Sequence, residues 1–200
     1  MDSTIFREVV RGHNRVVYDV PTIETERLVL RAWSVEDRDA LALINADPRV
    51  MEHFPALMSR EQSDELVDRI VADWQQGFGF WAVQERASGS FIGFVGLSTP
   101  TWAAPFGPSV EIGWRLAFDA WGKGFATEAA RRVVQWSKEN VRPPRLELVS
   151  ITTLSNARSR CVMEKLGFTH DDGDDFDHPS LPDWPDRRHV LYRLDLSSIS

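Results

Sequence analysis

The stretch that decides the fold covers residues 111–128 and runs EIGWRLAFDAWGKGFATE. A β-run that extends to Leu116 leads into two closely spaced glycines, Gly122 and Gly124, and then into a helical pattern with one apolar face. The first turn of a helix leaves backbone N–H groups without intrahelical partners, and the helix dipole adds positive charge there. Glycines let an anion approach the backbone closely. The stretch therefore predicts a strand–turn–helix junction suited to a pyrophosphate.

Two common phosphate-binding motifs do not fit this junction. A P-loop requires Gly-x-x-x-x-Gly-Lys-Ser/Thr, which is absent. A dinucleotide fingerprint requires Gly-x-Gly-x-x-Gly at an early strand–helix turn, but here Thr127 takes the place of the third glycine. The junction also lies late in the chain, and no second βαβ unit follows it. The alternative to an anion site is a loop whose glycines serve turn geometry alone.

The segments on either side predict a single mixed α/β (α+β) domain. Residues 1–22 show no sustained period and are interpreted as an N-terminal extension to a domain that spans residues 23–197. Strands are expected at 27–32, 80–84, 91–97, 110–116, 146–151 and 188–196. Ser34 and Ser59 are expected to begin two helices, and Asn156 to begin the last one. Pro143 and Pro144 are expected to end the long helix, and Gly167 the last.

Composition limits the class of protein. With 200 residues, 42% hydrophobic and 26% charged, the chain can bury a core, and no apolar run approaches the length of a membrane span. The single cysteine, Cys161, excludes an internal disulfide and a Cys-rich zinc site, so we expect a cytoplasmic protein without a metal. The net charge of −7 disfavours nucleic acid and favours amines as partners.

Three separated motifs resemble the GNAT acyltransferase superfamily. Its pyrophosphate motif has the form Q/R-x-x-G-x-G/A, and Trp121, Gly124 and Ala126 occupy the three defined positions, with Trp in place of Gln or Arg. Residues 156–168 resemble the second half of its cofactor motif. Residues 25–31, TERLVLR, resemble the start of the RimJ/RimL-like branch, which acetylates N-terminal amines of ribosomal proteins. The resemblance covers nearly the whole chain.

The resemblance implies a twisted mixed sheet, splayed between two central strands to admit acetyl-CoA. It also implies an N-acetyltransferase that moves the acetyl group to a primary amine. Backbone groups of strand 110–116 would contact the pantetheine, and the N–H groups of residues 122–127 would cradle the pyrophosphate. The expected acetyl-CoA-binding residues are Trp114, Arg115, Leu116, Gly122, Lys123, Gly124, Phe125, Ala126, Thr127 and Asn156. Two alternatives stay open: Lys123 as a solvent-facing side chain, and Asn156 as a helix N-cap.

Three residues are candidates for the proton transfers. Ser159 lies one helical turn after Asn156, and the resemblance implies that it protonates the leaving thiolate, because Met163 stands where many relatives carry a tyrosine and cannot donate a proton. Glu111 is a candidate base, the alternative being a structural or partly exposed strand residue. His178 is a second candidate base, the alternative being a surface-loop histidine.

The acceptor is left open by the sequence. A peptide N-terminus, a small cationic amine such as a polyamine, or an amino acid would each fit, and a homodimer is conceivable. Cys161 is expected among apolar neighbours within a helix, which disfavours a covalent acyl-enzyme and favours direct attack in a ternary complex. The acidic run 171–177 lacks the spacing of a calcium loop and is expected to be solvated, or to attract cations. A CoA-binding sensor without turnover is the rival function.

Overall fold

The computed structural model of the protein describes residues 19–141 and 147–199. In that part, nine strands form one mixed sheet with four helices around it, which confirms the predicted fold class. The strands are β1 (Ile23–Glu24), β2 (Leu28–Arg31), β3 (Phe80–Glu85), β4 (Phe91–Ser98), β5 (Val110–Leu116), β6 (Glu147–Thr153), β7 (Thr169–His170), β8 (Phe176–Asp177) and β9 (Arg188–Asp195). The helices are α1 (Asp37–Ala46), α2 (Arg60–Asp73), α3 (Phe125–Asn140) and α4 (Ala157–Lys165). No helix in these residues has the length and apolar character to cross a bilayer.

The sheet divides at its centre. Strands β1 to β5 pair antiparallel in chain order, and β6 pairs antiparallel with β9. Between these halves, β5 and β6 run parallel and pair only at Val110 with Leu148 and at Glu111 with Val149. Beyond that point both strands continue without pairing to each other. The predicted splay between two central strands is therefore confirmed.

The two faces of the sheet carry different helices, because side chains alternate along each strand. Helices α3 and α4 pack on one face, called here the α3 face, against strand residues such as Trp81, Val95 and Leu148. Helices α1 and α2 pack on the other, the α1/α2 face, against Ala82 and Phe94. Since Glu111 is aligned with Val149, both belong to the α1/α2 face.

One helix start differs from its prediction, and another agrees. Ser59 and Gln62 form the expected reciprocal capping box at the start of α2. Helix α1, however, begins at Asp37, and Ser34 does not cap it. The backbone N–H of Ser34 instead donates to Asp37 Oδ2 at 2.8 Å, and the same carboxylate pairs with Arg31 at 2.7 Å. Asp37 thus uses its side chain to hold β2, which local sequence could not indicate.

Other boundaries shift by one or two residues. Strand β6 continues to Thr153 rather than ending at Ile151, because β9 pairs with its whole length. The acidic run is also more ordered than a solvated loop, since it contains β8 and a short helical turn. Most of the proposed N-terminal extension, the prolines at 143 and 144, and Leu146 lie outside the described residues.

Candidate active site

The start of α3 is shaped as an anion cradle. Gly122 and Gly124 both adopt positive φ, +72° and +80°, which strongly favours glycine. The first intrahelical donor is the N–H of Glu128, which donates to the carbonyl of Gly124 at 3.0 Å. The amides of residues 122–127 precede it and have no helical acceptors. A Cβ on Gly122 would meet no atom within 4 Å, and one on Gly124 would meet only Arg27 Nη2, at 3.5 Å. The cradle is thus open, and its donors fit a pyrophosphate.

Hydrogen bonds from the turn between β1 and β2, which is distant in sequence, hold this cradle in place. Thr25 Oγ1 donates to Glu128 Oε1 at 2.6 Å, and Arg27 donates from Nε to Glu128 Oε2 at 2.7 Å and from Nη1 to the carbonyl of Lys123 at 2.9 Å. Burial acts to raise the pKa of Glu128, but the hydrogen bonds from Thr25 and Arg27 hold it below its ordinary value. Sequence reasoning used Thr25 and Arg27 only for the resemblance and missed this role.

Trp121 links the cradle to both neighbouring elements. Its Nε1 donates to the carbonyl of Leu116 at the end of β5, at 2.9 Å. Its ring lies 5.1 Å from the guanidinium of Arg158, near the start of α4. The motif position expected to hold Gln or Arg is therefore a tryptophan that connects β5, the cradle and α4.

Asn156 acts as the helix N-cap that the sequence left open. Its Oδ1 accepts from the N–H of Ser159 at 3.1 Å, and its Nδ2 donates to Thr152 Oγ1 at 2.9 Å. The hydroxyl of Ser159 makes no hydrogen bond to any residue the structure describes. Met163, one turn further, is 1% exposed and belongs to the core.

The remaining predicted acetyl-CoA-binding residues differ in exposure. Lys123 is exposed, as the solvent-facing alternative requires, and Trp114 is half-buried beside the core. Leu116 and Phe125 are buried, so only their backbone groups are available to a ligand. Ala126 is half-buried and, like Thr127, belongs to the first turn of α3.

Glu111 occupies the point where the sheet divides. It is the last residue of β5 that pairs with β6, and immediately after it Ser150 Oγ donates to the carbonyl of Ile112 at 2.9 Å. Desolvation by the surrounding protein raises the pKa of Glu111 to about 7. No ion pair to Glu111 is found among the described residues, so the alternative of a structural ion pair is not supported. Its carboxyl can exchange a proton near neutral pH.

Arg115 lies four residues further along β5, on the same face as Glu111. Its Nη1 donates to Asn45 Oδ1 at 2.7 Å, and its guanidinium lies 4.2 Å from the ring centre of Phe54. Desolvation lowers the pKa of Arg115 to about 10. The side chain thus points to α1 and the α1–α2 loop, while its backbone borders the gap between β5 and β6.

His178 belongs to an aromatic group on the α1/α2 face. Its ring lies 4.5 Å from that of Trp102 and 5.1 Å from that of His189. Burial lowers the pKa of His178, and the charge of His189 adds to that effect. Within the described ranges, no hydrogen bond joins His178 to Glu111 or Ser159. His178 follows β8 in a loop and its ring is partly buried, so the alternative of a surface-loop histidine stays open.

The tryptophans that were candidates for a pocket wall divide into two pairs. Trp33 and Trp81 are 2% and 0% exposed and belong to the core. Trp102 and Trp184 are partly accessible and lie next to His178 or His189. Only the second pair can wall a pocket on the α1/α2 face.

A three-loop junction lies beside the end of β6, and the sequence did not indicate it. Ser155 Oγ donates to Asp186 Oδ2 at 2.7 Å and lies 3.2 Å from His53 Nδ1. The α1–α2 loop, the β6–α4 loop and the β8–β9 loop therefore meet at one hydroxyl group. Ser155 lies 102 positions from His53 and 31 from Asp186 along the chain, beyond the reach of local pattern analysis.

The acidic run is largely paired within the protein. Asp174 accepts from Arg193 at 2.7 Å, Asp175 lies 2.7 Å from His170 Nε2, and Asp177 accepts from Arg187 at 3.1 Å. These contacts weaken the expectation that the run serves to attract cations.

Cys161 is exposed on α4, whereas it was expected among apolar neighbours. The error arises because the apolar side of this short helix is defined by Met163 and Leu166, and Cys161 lies off it. Residues two positions apart on a helix do not face each other, so Cys161 points away from Ser159.

Comparisons with known proteins agree on one family. The model of the acetyltransferase (GNAT) domain matches residues 27–169. FsC-acetyl coenzyme A-N(2)-transacetylase of Aspergillus fumigatus is 32% identical over 161 residues, which is 75% of this chain and 66% of that protein, just under two thirds of its length. An acetyltransferase structure from Agrobacterium tumefaciens is 26% identical with a TM-score of 0.72, covering 92% of this chain and 99% of the other. A RimL ribosomal L7/L12 acetyltransferase in complex with coenzyme A shares the fold, with a TM-score of 0.70 at 15% identity, covering 88% and 98%.

Proposed function

Because the chain belongs to the GNAT acetyltransferase family and is an acetyl-CoA-dependent N-acetyltransferase, we propose that it transfers acetyl to a primary amine by direct attack in a ternary complex. The observation that carries this proposal is one strand–turn–helix segment that holds three features: Glu111 with a pKa of about 7, the part of β5 that does not pair with β6, and the anion cradle at residues 122–127.

Acetyl-CoA would lie along the α3 side of the divided sheet. The amides of residues 122–127 would hold its pyrophosphate at the positive end of α3. Backbone groups of Trp114, Arg115 and Leu116 border the gap and would hold the pantetheine arm, because β6 does not pair with them. Asn156 is already engaged as an N-cap, so its contribution would be to fix the start of α4 beside the thioester.

Glu111 would accept the proton of the incoming ammonium, directly or through water. A general base works best when its pKa lies near the working pH, and burial places Glu111 there. An α-amine with a pKa near 8 would need little further help. His178 is the second candidate, and its lowered pKa keeps it neutral at pH 7.

Ser159 would protonate the departing thiolate. Its backbone N–H is fixed by Asn156, while its hydroxyl is uncommitted within the described part of the chain. Orientation of two bound reactants can lower the barrier by about 7–11 kcal/mol, so a modest proton donor is sufficient.

Direct attack is supported by the position of Cys161, which points away from Ser159 on α4. The acceptor class is supported by the relative from Aspergillus fumigatus, whose name places transacetylation at an N(2) nitrogen. A protein N-terminus and a small-molecule amine are both primary amines and so belong to the proposed acceptor class.

The test is thiol release from acetyl-CoA with a mixed pool of amines, alongside calorimetry of CoA binding. We expect both binding and amine-dependent release, with Cys161→Ala retaining full turnover. Binding without release from any amine would instead identify a CoA sensor. A burst of thiol release without an amine, abolished in Cys161→Ala, would contradict direct attack.

A further inference from the structure

Arg115 is a half-buried cation with no acidic partner in the part of the chain that the structure describes. Only one of its three nitrogens, Nη1, makes hydrogen-bonding contacts, to Asn45 Oδ1 at 2.7 Å and to Met58 Sδ at 3.8 Å. Its Nε is buried and has no hydrogen-bond partner. Buried charges in proteins are normally paired, so an unpaired one in a candidate active site requires an explanation.

Arg31 on β2 shows how this fold pairs a buried arginine when the role is structural. Its guanidinium meets both carboxylate oxygens of Asp37, at 2.7 and 2.8 Å, and it also bonds Gln84. Arg115 has no such carboxylate among the described residues, although both arginines are half-buried. A structural role alone therefore does not account for the missing partner.

The surroundings of Arg115 hold its guanidinium in place without neutralising it. Asn45 is 0% exposed, and its Nδ2 donates to the buried Ser63 Oγ at 2.9 Å, which turns Oδ1 toward Arg115. The rings of Phe54 and Phe94 lie 4.2 and 5.5 Å from the guanidinium. Phe54 is 38% exposed and belongs to the α1–α2 loop, so the cover over the cation is a surface side chain.

The cation also lies on the correct side of the proposed reaction centre. Glu111, Gly113 and Arg115 share one face of β5, and Gly113 adds no side chain between the other two. An amine that approaches the open edge of β5 from this face would bring its neighbouring substituents toward Arg115. A guanidinium recognises a carboxylate by charge-assisted hydrogen bonds.

We propose that Arg115 binds a carboxylate of the acceptor, which makes the acceptor a primary amine that carries a carboxylate close to its amine, as an amino acid does. This inference rests on the proposed acetyl transfer to an amine and narrows its substrate class. It disfavours polyamines, which carry no anionic group.

The experiment measures kcat/KM by thiol release for a panel of amino acids and the matching amino-acid amides. At pH 8, where Arg115 is charged, and with each kcat/KM corrected for the fraction of neutral amine, we expect the acids to be preferred by about 10- to 100-fold, since one charge-assisted interaction distinguishes them. Equal kcat/KM for acids and amides, or a preference for amides or peptide N-termini, would overturn the inference and leave the proposed function intact.

Two variants separate recognition from structure. Asn45→Asp changes little in size but supplies an internal carboxylate to Arg115, so the acid-to-amide ratio should fall to near one while CoA binding shows a folded protein. Arg115→Gln should lower the same ratio. Arg131→Gln, the same change at an exposed arginine of α3, is the matched control and should leave the ratio unchanged.

Each remaining outcome is decisive. If Asn45→Asp stays folded and retains the preference for acids, Arg115 does not bind the carboxylate of the acceptor and the inference is wrong. If neither acids nor amides release thiol although CoA binds, the acceptor inference is wrong, and the proposed transfer to amines fails with it only if the mixed pool of amines also gives no release.

Discussion

At the residue scale, burial of one carboxyl group has two opposing consequences. Glu111 is placed where the paired part of β5 ends, and the surrounding protein desolvates it enough to raise its pKa to about 7. The raised pKa supplies a base that is half-ionised near neutrality. The same desolvation makes the ionised form costly to the folded state.

The first consequence concerns activity. In wild type, kcat/KM should rise with pH as Glu111 loses its proton, with an inflection near its pKa of about 7. Glu111→Gln should lower turnover by about 100-fold or more and remove this inflection, because general-base catalysis contributes on that order. A pH–rate profile of both proteins is the measurement. An inflection that persists below 6.5 in the variant would assign the base role to His178, whose pKa burial lowers from that value.

The second consequence concerns stability. A carboxyl whose pKa is higher in the folded state favours folding only while it is protonated, so its advantage is present below the unfolded pKa of about 4.5 and is lost as pH rises through 7. Glu111→Gln should therefore gain stability over wild type as pH rises from 5 to 8, by roughly 2–3 kcal/mol. Urea unfolding at several pH values measures this. A constant difference in the free energy of unfolding would show that Glu111 is not desolvated.

Ser159 offers a third test at this scale. Ser159→Ala should lower kcat by about 10-fold or more while CoA affinity changes little, because the hydroxyl would act on the leaving thiolate and not on the bound nucleotide. Ser159→Thr keeps a hydroxyl and should recover part of the turnover. Equal kcat in the alanine variant and wild type would mean that the thiolate leaves without Ser159.

At the scale of elements, the start of α3 combines local and long-range contributions. The turn, its two glycines and the helix that follows were predictable from residues 111–128, because φ above zero and helix periodicity are local properties. The hydrogen bonds from Thr25 and Arg27 to Glu128 were not, because they join residues about a hundred positions apart.

The cradle itself is tested by Gly124→Asp. This change places a negative side chain at a positive φ of +80°, directly where the pyrophosphate would lie, so CoA affinity should fall at least 100-fold by calorimetry. Gly77→Asp is the control, because Gly77 has a similar φ of +88° at the end of another helix. The control should lose stability and keep CoA affinity; unchanged affinity in Gly124→Asp would refute the cradle.

At the scale of the whole molecule, three loops converge on Ser155 beside the end of β6. His53 and Asp186 approach its hydroxyl from opposite ends of the sequence. Phe54 and Leu57 of the α1–α2 loop are 38% and 49% exposed, so burial of apolar side chains holds this outer part of the loop only weakly.

Removal of that shared hydroxyl should loosen the loop locally. In Ser155→Ala, amide hydrogen exchange across residues 47–59 should become faster by about 5-fold or more, while β3 and β4 keep their protection. Hydrogen-exchange mass spectrometry measures both regions in one experiment. Unchanged exchange in residues 47–59 would show that other contacts hold the loop.

What the sequence could and could not predict depends on whether a feature is local or joins residues that are distant along the chain. The order of the four helices and the six longer strands, the Ser59 capping box and the Asn156 cap were accessible because each is encoded within a few residues, whereas the two-residue strands β1, β7 and β8 were not predicted. The hydrogen bond from Ser34 to Asp37 joins residues three positions apart and is local, but the ion pair of Asp37 with Arg31 is not, and Cys161 was assigned to an interior it does not reach. The orientation of Arg115 toward Asn45 depends on how β5 crosses under α1, which no local pattern contains.

The brief parallel pairing of β5 with β6 has a mechanical consequence. The two halves of the sheet are joined by two residue pairs and by the hydrogen bond from Ser150 Oγ to the carbonyl of Ile112. A ligand bound in the opening between β5 and β6 would form backbone hydrogen bonds that the two strands do not form with each other. Such a ligand would connect the two halves of the sheet, so binding should make their relative position more rigid.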